Sequence, residues 1–442
     1  MHSATPSSPP YGVLIADDSA VARAYIAKII EQDPLFILRG SAANGEIAIK
    51  FLQGSMQEKS IDVIILDTEM PLMDGLEALP KLLAVSPEVC IIMMSAISTT
   101  HAEMSLNALN NGASDFITKP SNGTGFSSAA KFQQELLEKM RALVKAQKPT
   151  ATETVDLTNF VARSAPSSPI RRPAPVIVHN AKSSVENNHS VKENPVIVST
   201  PTVSLPSPST KNKPIANKSP APKPLITHPT TATPASHLPN QSAHFKNRPS
   251  VFAIGCSTGG PQALITLLKE LAPLKHIPTF ITQHMPPTFT KIFAEQICSQ
   301  TGWTCVEAEN GMLVENGKAY LAAGDYHLLL EKQGGSVRIM LSQDPPENFC
   351  RPAVDPMMRS LIATYGARNM VALILTGMGQ DGLLGCQQIV QGGGVTLAQD
   401  EKTSVVWGMP GTVAKAGICQ AVLPLKEIAP YINQAMGEHY SR

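Results

Sequence analysis

The stretch Val251-Phe252-Ala253-Ile254-Gly255-Cys256-Ser257-Thr258-Gly259-Gly260 decides how the C-terminal half of the chain folds. Its first four residues are an apolar strand. Beyond it Ala263, Leu264, Leu267, Leu268 and Leu271 recur at helical spacing. A serine therefore stands on a tight, glycine-flanked turn between strand and helix. Gly255 to Gly259 reads as G-x-S-x-G, the pattern of a nucleophile elbow. The glycines allow a strained turn that a Cβ would obstruct, and they leave the hydroxyl beside backbone N–H groups able to hold an oxyanion. A glycine-rich turn of this kind also suits a phosphate, so the rest of the chain must decide between the two.

Around this turn the apolar runs Val251–Ile254, Thr279–Ile281, Ala319–Leu321, Val371–Leu375 and Val395–Leu397 predict strands of a doubly wound α/β domain over residues 249–438. The N-terminal block, 11–148, predicts a second α/β unit with a flavodoxin-like, doubly wound parallel sheet. Gly12–Ala16, Ile61–Leu66, Val89–Met94 and Asp115–Thr118 are its strands. Ala20–Ile30 is a helix, and Phe132–Val144 is a closing amphipathic helix. Between the two, residues 149–248 hold sixteen prolines, many Ser and Thr, and few large apolar residues. Such a segment buries too little apolar surface to offset its ordering entropy, so it is expected to be a disordered linker.

With 442 residues, 43% hydrophobic content and a net charge of +1, the chain has room for two ordinary soluble domains. The charge is uneven, since residues 150–248 carry 11 Lys+Arg against 4 Asp+Glu. Residues 249–442 carry 13 Lys+Arg against 15 Asp+Glu, with no basic recognition helix, which argues against nucleic-acid binding. No apolar run reaches membrane-spanning length, and the first residues lack the pattern of a secretion signal. Seven scattered cysteines without CxxC spacing point to reduced thiols in a cytoplasm, not to disulfides or zinc.

Acidic residues mark the strand ends of the N-terminal block. Asp17 and Asp18 follow the first strand and Asp67 ends another. Converging carboxylates repel and call for a hard cation such as Mg²⁺. Ser95 and Lys119 close the next two strands, where a hydroxyl and an ammonium suit an incoming phosphoryl group.

In the C-terminal block Ser257 needs a base, and the base needs an orienting acid. His284 follows a strand in Gln283-His284-Met285-Pro286 and is the first candidate, with His327 its best rival. Asp381 lies in the loop after the strongest apolar strand and is the candidate acid. The order Ser, His, Asp differs from that of an α/β-hydrolase and predicts another doubly wound fold that converged on the same trio. Cys256 adjoins the turn but should face the core, because successive strand residues point to opposite faces.

Two resemblances follow from these residues. The paired acids, LDTEMPLMDG around Asp67, Ser95 and DFITKP ending in Lys119-Pro120 resemble the receiver domain of bacterial response regulators. This implies that Asp67 takes phosphate from a histidine kinase and that Asp17, Asp18 and Asp67 hold Mg²⁺. It implies that Ser95 and Lys119 contact the phosphoryl group and that Phe116 is a switch aromatic; the plain alternative for Phe116 is a core residue. GCSTGGPQAL, QHMPPTFT, RPAVDPMMRS, LTGMGQDG and DEKTSVVWGMPGTVAKAG resemble the blocks of the chemotaxis protein-glutamate methylesterase and protein-glutamine glutaminase family.

That second resemblance implies a triad of Ser257, His284 and Asp381, with Thr258 and Met378 bordering an oxyanion pocket. It implies chemoreceptor helices as substrate, without membrane insertion, no cofactor for the ester chemistry, and an unphosphorylated receiver packed over the site. The chain departs from the family in its linker, which is far longer than the usual connector. Two other readings stand beside this one: a receiver-controlled scaffold with an esterase-like binding module, and a methylesterase of a chemosensory pathway unrelated to motility.

Overall fold

The computed structural model of the chain describes residues 10–55, 60–96, 98–120, 125–147 and 243–440. The N-terminal block alternates β1 (Tyr11–Ala16), α1 (Ala20–Ile30), β2 (Phe36–Ala42), α2 (Gly45–Ser55), β3 (Val63–Asp67), α3 (Gly75–Val85), β4 (Cys90–Ser95), α4 (Thr99–Asn110), β5 (Asp115–Thr118) and α5 (Gly125–Gln147). Its five strands lie in the order β2-β1-β3-β4-β5, all parallel. The order reverses direction between β1 and β3, and there the strand ends converge on one crevice. β3 and β4 are buried along their whole length, which explains their uninterrupted apolar runs.

The C-terminal block begins with β6 (Val251–Cys256), α6 (Gly260–Glu270), β7 (Thr279–Gln283), α7 (Phe289–Thr301), β8 (Thr304–Glu307) and β9 (Lys318–Leu321). A hairpin of β10 (His327–Gln333) and β11 (Ser336–Ser342) stands apart from the main sheet. The chain then continues through α8 (Val354–Tyr365), β12 (Met370–Ile374), α9 (Leu383–Gln391), β13 (Val395–Gln399), α10 (Met409–Lys415), β14 (Ala421–Leu423) and α11 (Leu425–Tyr440). Seven parallel strands form one sheet in the order β14-β13-β12-β6-β7-β9-β8. The five strands expected from the sequence are all in it. The hairpin, β8 and β14 are additions, being short or half-exposed.

α6 starts immediately after the serine turn. The left-handed residue there is Gly259, at φ 75°, and not the serine. A glycine thus carries the strained conformation of the turn, the role the sequence assigns to the glycines there. A Cβ on Gly259 would also lie 2.6 Å from Val405.

All seven cysteines are free. Among the described residues no helix is long and apolar enough to cross a membrane. Most of the segment expected to be a disordered linker, 149–242, lies outside the described residues. Its last six residues do not fit that expectation. Ala243 and Phe245 are buried, and the His439 ring bonds the Phe245 carbonyl at 2.6 Å. One large apolar side chain within reach of α11 suffices to hold so short a stretch.

Phe245 is fully buried and packs beside Tyr431. Phe245→Ala should destabilise the C-terminal block by about 3 kcal/mol, the usual scale for deleting a buried ring. Urea unfolding followed by Trp303 and Trp407 fluorescence measures this. A shift within experimental error would show that the segment does not anchor the domain.

Candidate functional site

Three adjacent strands of the large sheet bring the candidate residues together. Cys256 pairs with Gln283, so Ser257 and His284 leave neighbouring parallel strands side by side. The His284 N–H donates to the Cys256 carbonyl at 3.1 Å, extending that pairing by one step. On the other side β12 runs along β6, and the Ser257 N–H donates to the Thr376 carbonyl at 3.0 Å. Gly377 then passes so close that a Cβ there would lie 2.9 Å from Ser257. Only a glycine lets this loop close on the serine before it turns towards Asp381.

Asp381 is almost wholly buried, at 1% exposure, and four donors surround it. Oδ2 accepts from His284 Nε2 at 2.8 Å and from the Val354 N–H at 2.6 Å. Oδ1 accepts from Asn348 Nδ2 at 2.9 Å and from the Asp355 N–H at 3.1 Å. Burial works against its charge, but His284 and these donors outweigh burial and hold the carboxyl below its ordinary range. Asp355, beside it, is pushed up to about 6 by burial and by the Asp381 charge.

His284 has a neighbour on each ring nitrogen. Nε2 meets Asp381, and Nδ1 lies 3.3 Å from Cys350 Sγ. Burial disfavours the charged ring, but the Cys350 sulfur and Asp381 together push the imidazole up to about 10. Among the described residues the Ser257 hydroxyl has no hydrogen-bond partner, so the serine is adjacent to the pair without being joined to it. The backbone N–H groups of Thr258 and Met378, on the two sides of Ser257, likewise have no acceptor among the described residues.

His327, the rival base, is buried elsewhere. Its Nε2 meets the Pro345 carbonyl at 3.2 Å and its Nδ1 accepts from the Ala353 N–H at 3.2 Å. It fastens the loop before α8. Cys256 is fully buried in the core, and burial raises its thiol far above the ordinary value. Sequence reasoning missed Asn348, Cys350 and Asp355. The first two stand on a turn with no periodicity to mark it. Asp355 lay in a quoted block without a reason to single it out.

The acidic cluster occupies the crevice of the small sheet. Ligand oxygens of Asp17, Asp18 and Asp67 all lie within 4.8 Å of one another. Lys119 Nζ reaches Asp67 Oδ2 at 2.7 Å and Asp17 Oδ2 at 3.0 Å. Three hard oxygen donors around one point, two of them buried, fit a cation of the Mg²⁺ kind. Ser95 is fully buried and its Oγ accepts from Ser105 Oγ at 2.9 Å; among the described residues it makes no hydrogen bond to Asp67.

The face of the small domain formed by α4, β5 and α5 lies on the large domain. Thr258 Oγ1, one residue from Ser257, donates to Asp115 Oδ2 at 2.7 Å. Lys139 pairs with the same oxygen at 2.7 Å. Phe116 is 5% exposed and stacks on Phe289 with centroids 4.6 Å apart and planes at 4°. Phe116 is therefore an interface residue as well as a buried one. Gln262 Nε2 donates to the carbonyls of Leu109 at 2.9 Å and Ala113 at 3.2 Å. Met378 packs against the apolar cluster that includes Phe132 and Leu136 of α5.

Burial pushes the Asp67 carboxyl up to about 6, Lys119 opposing and Asp17 adding to the rise. The folded value lies above the unfolded one, so the fold favours the protonated acid, and ionisation above about pH 6 costs stability. Asp67→Asn should therefore raise the stability of the small domain by about 1–2 kcal/mol at pH 7.5 in Mg²⁺-free buffer. The gain should fade towards pH 4, where both side chains are neutral. Thermal melts across this range measure it, and a destabilised variant at pH 7.5 would contradict the account. Mg²⁺ should stabilise the wild type more than the variant.

The family model for the CheB methylesterase matches residues 252–432, and that for the response regulator receiver domain matches residues 13–131. A protein-glutamate methylesterase/protein-glutamine glutaminase of Azospirillum brasilense is 43% identical over 96% of this chain and 92% of its own length. One from Rhodospirillum centenum, of that organism's group 2 operon, is 42% identical over 97% of this chain and 94% of its own. The crystal structure of the Thermotoga maritima CheB methylesterase catalytic domain is 38% identical, covering 42% of this chain and 97% of that one, with a TM-score of 0.40. With the two domain matches in this order and relatives similar over almost the whole chain, the protein belongs to the protein-glutamate methylesterase/protein-glutamine glutaminase family, with an N-terminal response regulator receiver domain.

Proposed function

We propose that Ser257, His284 and Asp381 hydrolyse γ-glutamyl methyl esters on the cytoplasmic helices of chemoreceptors, and that the same groups deamidate selected glutamines. The observation that carries this reading is the convergence of the three at the ends of β6, β7 and the β12 loop, with His284 already tied to Asp381. In this reading Ser257 Oγ attacks the ester carbonyl while His284 takes its proton. The developing oxyanion is met by the N–H groups of Thr258 and Met378, which need an acceptor. His284 returns the proton to the departing methoxide, giving methanol and a glutamyl-serine ester. Water, deprotonated by the same ring, then releases the glutamate. Glutamine follows the same course with ammonia as the leaving group. Asp381 fixes which ring nitrogen is free and supports the imidazolium.

Asp67 is the phosphate acceptor in this reading and a histidine kinase of the chemosensory pathway is the donor. Asp17, Asp18 and Asp67 would hold Mg²⁺, which supplies charge neutralisation for the incoming phosphoryl group. Lys119 already spans Asp67 and Asp17 and would turn to the phosphoryl oxygens, with Ser95 a second contact. Docked as it is, the receiver covers the serine turn through Asp115 and Phe116, and phosphorylation would loosen that contact. The boundaries we propose are 11–148 for the receiver and 243–438 for the esterase, the latter widened to include the packed segment. Free thiols throughout the described residues support a cytoplasmic setting.

Methanol release from methylated receptor membranes tests the reading. Ser257→Ala and His284→Ala should each lower the rate about 10⁴- to 10⁶-fold, and the double variant little further, because the pair acts as a unit. Cys256→Ala should stay within roughly tenfold of wild type, since it removes only packing. An active Ser257→Ala with an inactive Cys256→Ala would overturn the assignment.

A further inference from the structure

The turn Glu347-Asn348-Phe349-Cys350 touches both members of the His284–Asp381 pair. Its ends bond each other twice, Glu347 N–H to Cys350 carbonyl at 3.2 Å and the reverse at 2.8 Å. Both central residues are left-handed, Asn348 at φ 51° and Phe349 at φ 64°. Neither is glycine, and a phenylalanine in this region is strained. Such a conformation persists only where the surroundings hold it. Here Asn348 Nδ2 donates to Asp381 Oδ1 and, at 3.2 Å, to Asp355 Oδ2, while Glu347 pairs with Arg359. The strain leaves Phe349 86% exposed and delivers Cys350 to His284.

The consequence lies in which nitrogen Cys350 takes. Asp381 holds Nε2, so Nδ1 is the atom that must accept the Ser257 proton, and Cys350 Sγ sits on it at 3.3 Å. A ring nitrogen has one in-plane direction and cannot serve the thiol and the serine together. Resting on the function proposed above, we infer that Cys350 is a positioning residue that holds His284 away from Ser257 in the docked state and must leave Nδ1 before the serine can attack. The charged groups around this contact are Asp381 on the far nitrogen and Asp355 behind Asp381. The contact withholds catalysis by occupying the one nitrogen that Asp381 leaves free.

The test is kcat and KM for methanol release by the full chain, wild type against Cys350→Ala and Cys350→Ser. Cys350→Ala should raise kcat at pH 7 roughly two- to tenfold, the factor that one net hydrogen bond carries. KM should stay as in the wild type, because the thiol occupies the base and not the substrate. Cys350→Ser, with a shorter reach, should fall between the two and serves if the alanine variant does not fold. A merely structural thiol would change yield or melting temperature but leave kcat in place. An unchanged kcat, or one below wild type in a folded variant, would overturn the inference. Absence of methanol release by the wild type would instead overturn the function on which it rests.

Discussion

A carboxylate removed from water must find donors, and the donors of Asp381 organise the esterase half of this protein. Two come from the start of α8, one from the turn before it, and one is the imidazole of His284. They come from three parts of the chain, so the loop after β12, the α8 N-terminus, the 347–350 turn and the end of β7 are fixed relative to one another by a single charge. Breaking a buried pair of this kind costs several kcal/mol, because the remaining charge is stranded. Asp355 next to it adds a second buried carboxyl, and Asn348 lies between them, donating to both. The geometry of His284 is therefore bound up with the fold of the domain.

The receiver meets this arrangement at one place. β5 is only four residues long, yet Asp115 and Phe116 at its beginning touch the serine turn and α7. Lys119, just past its end, touches Asp67. The strand therefore joins the Lys119–Asp67 pair to the Thr258 contact over four residues. Lys139 ties α5 into the same contact through Asp115. Asp67 and the serine turn are thus linked by one ion pair, one strand and one hydrogen bond.

Much of this was legible in the sequence because parallel sheets impose strong local signatures. The helix Ala20–Ile30 and the strand Asp115–Thr118 were readable to the residue from apolar period and flanking turns. Strand ends named Asp17, Asp67, Lys119, Ser257 and His284 as neighbours of a crevice, since in such folds function gathers at carboxyl ends. What stayed hidden depends on contacts between distant segments. The turn at 347–350 is placed by a hairpin that belongs to neither sheet. The Asp115–Thr258 bond spans 143 residues and leaves no mark on either local pattern. The packing of Phe245 escaped notice because one aromatic in a proline-rich stretch has no period.

The central claim is that Ser257 is a nucleophile whose access the docked receiver restricts. The most direct measurement is the rate at which a fluorophosphonate labels the full chain, with the modified residue identified by peptide mass spectrometry. Labelling is followed with and without acetyl phosphate and Mg²⁺. The account predicts a single modified residue, Ser257, labelled slowly in the resting chain and several-fold faster with the phosphodonor. Labelling at another residue, or a rate at Ser257 that the donor leaves unchanged, would contradict it.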